Sequence, residues 1–145
     1  MSTNRETTRD ALTTLLTTAL VGTGLPAKAV YGYQVGDFGG LSPTVVVSSA
    51  GSERSDMTPL GGQVEFRFNI DVFVLYTDGS DWNEDDAEDR LDLIEKTIWD
   101  TLQANQRTAT WDNIAYSGRS ECNSLVMGGV EWRTERISVA ATAFA

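Results

Sequence analysis

The sequence contains no histidine, and this absence excludes several kinds of active site. Ser-His-Asp and Cys-His arrangements are impossible, most catalytic zinc sites lose a ligand, and the usual general base at neutral pH is missing. Only Lys28 and Lys96 could act as amine nucleophiles or bases, and neither lies in a Ser-x-x-Lys frame. The sequence therefore favours a protein that is not an enzyme.

Cysteine is almost absent as well, because Cys122 is the only one and an intrachain disulfide is impossible. We expect Cys122 to be a buried structural thiol, and cysteine usage gives no sign of an oxidising compartment. With 145 residues, the chain is long enough to bury a core and to fold as one domain, residues 1–145, without disulfide or metal staples.

Long apolar runs are missing too, since no segment approaches the roughly 20 residues of a transmembrane helix. The segment ALTTLLTTALVG, followed by Ala27-Lys28-Ala29, superficially resembles a signal-peptide core with its cleavage site. However, Glu6 and Asp10 add negative charge to the region that is positively charged in a signal peptide, and four threonines interrupt the apolar segment. We therefore expect no signal peptide and no membrane partner.

Basic residues are scarce: the chain has 11 Lys and Arg against 21 Asp and Glu, for a net charge of −10. The segment 62–104 holds three basic and twelve acidic residues, whereas 1–61 and 105–145 are nearly balanced. This distribution leaves no cluster of basic residues that could bind the phosphates of a nucleic acid.

The acidic run at residues 78–89 is the one candidate for metal chemistry. It does not match the ligand spacing of an EF-hand, and carboxylates are expected in the first turns of a helix because they complement its positive end. A Mg²⁺-dependent enzyme would need carboxylates converging from separate elements, for which Asp71, Asp78 and Glu84 are the least implausible trio. We favour capping over this alternative and expect no cofactor.

What the sequence does contain is an unusually long alternating segment from Val64 to Tyr76, which predicts one β-strand. At about 43 Å it exceeds the roughly 38 Å diameter of a compact domain of this size. Part of it should therefore overhang the core, where a neighbouring subunit could pair. One face is apolar throughout; the other begins with Glu65, Arg67, Asn69 and Asp71 and becomes apolar at Phe73 and Leu75.

Two amphipathic helices are predicted on either side of this strand. The first runs from about Asn4 to Val21, with Thr3 and Glu6 at capping-box spacing and a threonine-rich second face. The second follows Asp81, ends near Asn105, and buries one stripe of five residues: Ala87, Leu91, Ile94, Ile98 and Leu102.

The remaining segments predict short strands and turns. We expect strands at 29–35, 44–49, 111–116, 122–127 and 130–144, a turn at GDFGG (residues 36–40) and a loop at 50–62. The last strand changes its apolar phase, which predicts a bulge near 134–136. The fold class is α+β: a mainly antiparallel sheet with two amphipathic helices packed on it and long strands overhanging the core. Four tryptophans are expected in the core or an interface: Trp82, Trp99, Trp111 and Trp132.

The order of these elements, the strand VEFRFNIDVFVLY and the closing segment GGVEWRTERISVAATAF together resemble the tail terminator (tail completion) proteins of long-tailed bacteriophages. The resemblance covers most of the chain and lies in element order and length, not in an invariant motif. It implies a virion protein at the head-tail junction that forms a ring, usually hexameric, on the tail tube. The implied partners are copies of itself, the tail tube protein, a head-tail connector or stopper protein, and genomic DNA that passes without tight binding.

The candidate assembly residues are polar side chains on the two longest strands. Arginines interleaved with glutamates on the last strand suit cross-strand or intersubunit ion pairs better than phosphate binding. Two neck or tail roles remain as alternatives, a head-tail stopper and a tail tube subunit. The candidate interface residues are Glu65, Arg67, Asn69, Asp71, Arg133, Glu135 and Arg136.

Overall fold

The computed structural model describes residues 4–34, 42–58, 61–76, 84–116, 119–127 and 129–144. Within these residues, two helices and six strands follow one another in the predicted order α-β-β-β-α-β-β-β, and the α+β class is confirmed. The elements are α1 (Arg5–Leu20), β1 (Ala29–Tyr31), β2 (Thr44–Thr58), β3 (Gly61–Leu75), α2 (Glu84–Ala104), β4 (Asn113–Tyr116), β5 (Glu121–Met127) and β6 (Val130–Phe144).

Helix α1 begins one residue later than its predicted capping box. Asn4 is the N-cap, and its Oδ1 accepts a hydrogen bond of 2.7 Å from the Thr7 N–H; Thr3 lies outside the described residues. Three threonines of the polar face, Thr13, Thr17 and Thr18, donate their hydroxyls to the carbonyl four residues earlier. Their polar groups are therefore satisfied within the helix while Leu12, Leu16 and Leu20 are buried.

Helix α2 buries the five residues that the sequence predicts, each at most 1% exposed. The spacing of this stripe keeps one side of the helix on the sheet. The predicted cap, Asp81, lies outside the described residues. Within the described residues, neither helix is long and apolar enough to span a membrane.

The sheet has the order β1-β2-β3-β6-β4, with β5 also pairing to β6. Strand β3 is therefore central: β2 pairs along one of its edges and β6 along the other, both antiparallel. The long predicted strand is confirmed, but the expectation that a neighbouring subunit pairs with its edge is wrong, because the same chain fills both edges.

The predicted loop at 50–62 is also wrong, because β2 continues through it to Thr58 and forms a hairpin with β3. A register shift between Ser49 and Gly51 accommodates the small residues there, and Gly51 has a φ of 140° that other residues rarely adopt. Pairing with the apolar β3 outweighs the weak strand propensity of this polar segment. Strand β1 stops at Tyr31, and the predicted GDFGG turn lies outside the described residues.

Strand β6 contains no bulge at the predicted position. Its register with β3 is unbroken through thirteen consecutive pairs, from Gln63↔Phe144 to Leu75↔Trp132. The change of apolar phase has another cause, since the sheet has apolar packing on both faces at this end. Trp132 packs with Val46 and Leu75 on the face opposite the helices, and its ring meets Phe73 edge-on at 6.5 Å.

The main core lies between the two helices and one face of β2, β3, β4 and β6. Even-numbered residues of β3 and odd-numbered residues of the second half of β6 point into it. The strands extend past this core at two hairpins. Residues 53–55 are exposed in the β2–β3 hairpin, and residues 121–126 are exposed in the β5–β6 hairpin.

Candidate assembly surface

Among the described residues, both helices pack on one face of the sheet. We call the opposite face of β3 and β6, on which neither helix packs, the open face; most of its side chains are half-buried or exposed. Because side chains alternate along a strand, the odd-numbered residues of β3 lie on this open face with the even-numbered residues of β6. Five of the seven predicted interface residues lie there together: Glu65, Arg67, Asn69, Asp71 and Arg136.

Asp71 and Arg136 form a two-pronged ion pair at the centre of the open face. The Arg136 Nε donates to Asp71 Oδ1 at 2.8 Å, and the Arg136 Nη2 donates to Asp71 Oδ2 at 3.3 Å. Asp71 is buried, at 7% exposure, whereas the Arg136 side chain is more than half exposed. The hydrogen bonds to Asp71 raise the pKa of Arg136, so this arginine stays charged. Next to the pair, Ser138 and Asn69 are linked at 3.3 Å.

A shallow hollow of about 370 Å³ lies beside this ion pair. Gln34 and Asn123 contribute amide groups to it, and Phe73 and Leu125 contribute apolar walls. The hollow is open to solvent and is lined by both polar and apolar side chains. It fits a protruding side chain of another protein better than an enclosed small molecule.

Two glutamates face each other at the hairpin end of the open face. Glu53 of β2 and Glu65 of β3 are direct partners in the antiparallel register, and no ion pair of either is found among the described residues. Like charges in this position repel one another. Glu53 was missed in the sequence because its segment reads as a loop; only the pairing with β3 places it opposite Glu65.

Arg133 and Glu135 do not belong to the open face, although the sequence groups them with it. Both point towards the helix side of β6, where Arg133 is paired with Glu88 of α2. Glu135 is 5% exposed and accepts a hydrogen bond from the Ser120 hydroxyl. Burial raises the pKa of Glu135, and the nearby Glu95 carboxylate adds to the effect. Arg133 therefore joins the sheet to α2, whereas Glu135 bonds to the segment before β5. The sheet itself separates both residues from the open face.

Cys122 is exposed, so the prediction of a buried thiol is wrong. It lies on β5, directly opposite Glu135 in the register, at the sheet margin where the helices do not cover the strand. Partial desolvation and the Glu135 carboxylate raise the pKa of this thiol. A thiol that holds its proton is a poor nucleophile.

The acidic residues do not form a metal centre within the described part of the chain. No group of three His, Cys, Asp or Glu side chains there has a geometry that could hold an ion. Asp71 is engaged by Arg136 on the open face, whereas Glu84 lies beside Tyr76 and Glu131 on the helix side. Asp78 and the first residues of the acidic run are outside the described residues.

The described tryptophans occupy core and surface positions. Trp111 and Trp132 are buried, as predicted for core aromatics. Trp99 on α2 is 39% exposed and packs edge-on against Tyr116 with ring centres 5.2 Å apart. Trp82 lies outside the described residues.

Comparisons with known proteins give similarities to solved structures. No protein-family model matches the chain, and no curated protein matches it. Among solved structures, the chain is similar to one described as the virion of a native gene transfer agent (GTA) particle, with a TM-score of 0.47 and 13% identity. The match covers 91% of this chain and 84% of the other. Similarity at this level does not define a function.

Proposed function

We propose that the protein is a structural subunit of a phage virion: a tail terminator that closes into a ring on the tail tube and joins it to the head connector. The observation that carries this proposal is the open face of the sheet, where Glu65, Arg67, Asn69, Asp71 and Arg136 lie in register on two 15-residue strands. The family resemblance of the sequence supplies the particular role.

The charges on this face suit a contact with another copy of the chain. A ring uses heterologous contacts, in which one patch meets a different patch on the next subunit. The repelling pair Glu53 and Glu65 gains from a basic group brought by a neighbour. Arg67 is exposed and its side chain forms none of the ion pairs found among the described residues, so it is free to meet a carboxylate.

The acidic excess suits the passage of DNA through such a ring. Asp89, Asp92 and Asp100 are exposed on the outer side of α2, and lysines or arginines that would neutralise phosphates are few. A surface of this kind does not hold DNA, because binding depends on phosphate neutralisation. A role in keeping the ring soluble fits the same charges equally well.

A charge-reversal experiment tests the proposed interface. Arg67→Glu should prevent the particle from assembling on tail tubes, because it adds a third carboxylate beside Glu53 and Glu65. Lys96→Glu makes the same charge change on the exposed side of α2 and should leave assembly unchanged. Carbodiimide labelling gives a second readout, in which Glu65 becomes protected in the particle and Asp100 does not. Full labelling of Glu65 in assembled particles, with normal assembly of Arg67→Glu, would refute the interface.

A further inference from the structure

Among the described residues, four strands have an outer edge: β1, β2 beyond Val46, β4 and β5. Strand β1 spans only three residues, and the other three edges differ in how far they are protected from pairing. The outer edge of β2 beyond Val46 contains two register shifts, between Ser49 and Gly51 and between Ser55 and Thr58. Strand β4 is covered at Ile114, whose N–H donates to the Gln106 carbonyl at 3.0 Å. Strand β5 has seven consecutive pairs with β6 and no shift. On its other side, no strand pairs with it among the described residues.

Strand β5 also has few of the residues that usually protect a strand edge, since Glu121 is its only charged residue. Its sequence ECNSLVM contains neither lysine nor proline, and bulges, lysines and prolines are the common means of preventing edge pairing. Every side chain described in residues 121–126 is exposed, on both faces of the strand. Three of the exposed residues at this hairpin are apolar, with Val126 at 70%, Val130 at 44% and Leu125 at 43% exposure.

The surroundings of β5 are negatively charged. The carboxylates of Glu135, Glu88 and Asp92 lie close enough to the Cys122 thiol to raise its pKa. The two arginines opposite this strand in the register, Arg133 and Arg136, are each already bound to a carboxylate. An added strand carrying lysine or arginine on its helix-facing side would meet these acidic groups, and an apolar residue on its other side would meet Leu125.

We propose that β5 is a strand-addition site for an extended segment of another protein, in which lysine or arginine alternates with small apolar residues. Main-chain hydrogen bonds to the free edge supply the affinity, and the alternating side chains supply the selectivity. A second copy of this chain is a poorer occupant, because the uncovered edges among its described residues are the acidic β5, the bulged β2 and the three-residue β1. The inference rests on β5 alone and does not depend on ring formation.

Synthetic heptapeptides test the proposal on the full-length protein. The probe alternates lysine and valine, and its matched control alternates glutamate and valine; binding is followed by fluorescence anisotropy at low salt. We expect the lysine peptide to bind at least about tenfold more tightly than the glutamate peptide. Methylating the amide nitrogens on one edge of the lysine peptide should abolish binding, since those groups must pair with β5. Equal binding of the methylated and unmethylated lysine peptides would overturn strand addition.

Variants locate the site. Val126→Lys places a positive charge on the exposed edge and should weaken binding of the lysine peptide about tenfold. Ser55→Lys makes a matched change on the bulged β2 edge and should alter it less than about twofold. Equal loss in both variants would show general charge attraction and overturn the assignment to β5. Self-association of the wild-type chain that Val126→Lys abolishes would identify a second copy as the occupant and likewise overturn it.

Discussion

Two buried carboxylates, Asp71 and Glu135, lie near each other in the sheet yet face opposite sides of it. Asp71 is opposite Arg136 in the register and bonds to its guanidinium. Glu135 belongs to the adjacent pair, opposite Val72, and accepts hydrogen bonds only from neutral donors such as the Ser120 hydroxyl. A paired carboxylate and an unpaired one respond differently to loss of charge. Each therefore yields a prediction of its own.

The first prediction concerns Glu135→Gln. Burial raises the pKa of Glu135, so the folded protein binds this proton more tightly than the unfolded chain does. The cost of burying the charge is complete above the raised pKa and vanishes as the pH falls below the ordinary value of about 4.3. The glutamine variant should therefore be the more stable protein at neutral pH, and its advantage should disappear on acidification.

Urea unfolding at a series of pH values measures this difference. Glu131→Gln, an exposed position on the same strand, is the matched control and should show little change. If Glu135→Gln were less stable than the wild type at neutral pH, the hydrogen-bonded charge would be stabilising and the argument would be wrong.

The second prediction concerns the asymmetry of the Asp71–Arg136 pair. Arg136→Met leaves a buried carboxylate without its ionic partner, and we expect a loss of about 1–3 kcal/mol. Asp71→Asn keeps an acceptor and leaves an arginine that is already half exposed, so its cost should be smaller. Chemical unfolding of both single variants and the double variant gives the coupling energy. Equal costs for the two single variants would contradict the burial argument.

At the scale of elements, the helices and the central strand could be predicted because each has one face that is buried along most of its length. The stripe of α2 and the alternation of β3 are regular throughout, and both elements match their predictions to within a few residues. The second half of β2 could not be predicted, since polar residues and glycine become a strand only through pairing with β3.

The phase change of β6 shows a different limit of sequence patterns. A switch from Trp132 to Ile137 resembles a bulge when one core is assumed, but the sheet has a second apolar cluster on its other face. The same limit applies to the candidate site. Alternation places Glu65, Arg67, Asn69 and Asp71 on one face correctly. Because β6 has no bulge, the same alternation places Arg133 and Glu135 on the helix face with Ile137, opposite to Arg136.

The third prediction tests which side of α2 stabilises the fold. Ile98 is fully buried and Leu93 is 48% exposed on the same helix. Ile98→Ala should cost about 2–5 kcal/mol, because it removes apolar contacts and leaves a cavity. Leu93→Ala should change stability by less than about 0.5 kcal/mol. Thermal and urea unfolding compare the stability of the two variants. Similar losses of stability would show that the side of α2 carrying Ile98 is not the one that packs on the sheet.

At the scale of the whole molecule, the net charge and its distribution determine whether the protein binds DNA. The net charge is −10, and the four basic residues of 105–145 are matched by four acidic ones. The fourth prediction is that the protein does not retain duplex DNA at physiological salt. Gel-shift titration at several salt concentrations tests this. Micromolar binding with a salt slope of about −0.9 per phosphate contact would contradict the role of a passive conduit.

The ring is the central claim, and the form of the assembled particle tests it most directly. Negative-stain electron microscopy of the purified protein at moderate concentration, alone and with tail tubes added, distinguishes the alternatives. We predict single closed rings, free or capping the ends of the tubes and never stacking on one another. Stacked tubes formed by the protein alone would identify a tube subunit, and a chain that stays monomeric and leaves tube ends bare would contradict the proposed function.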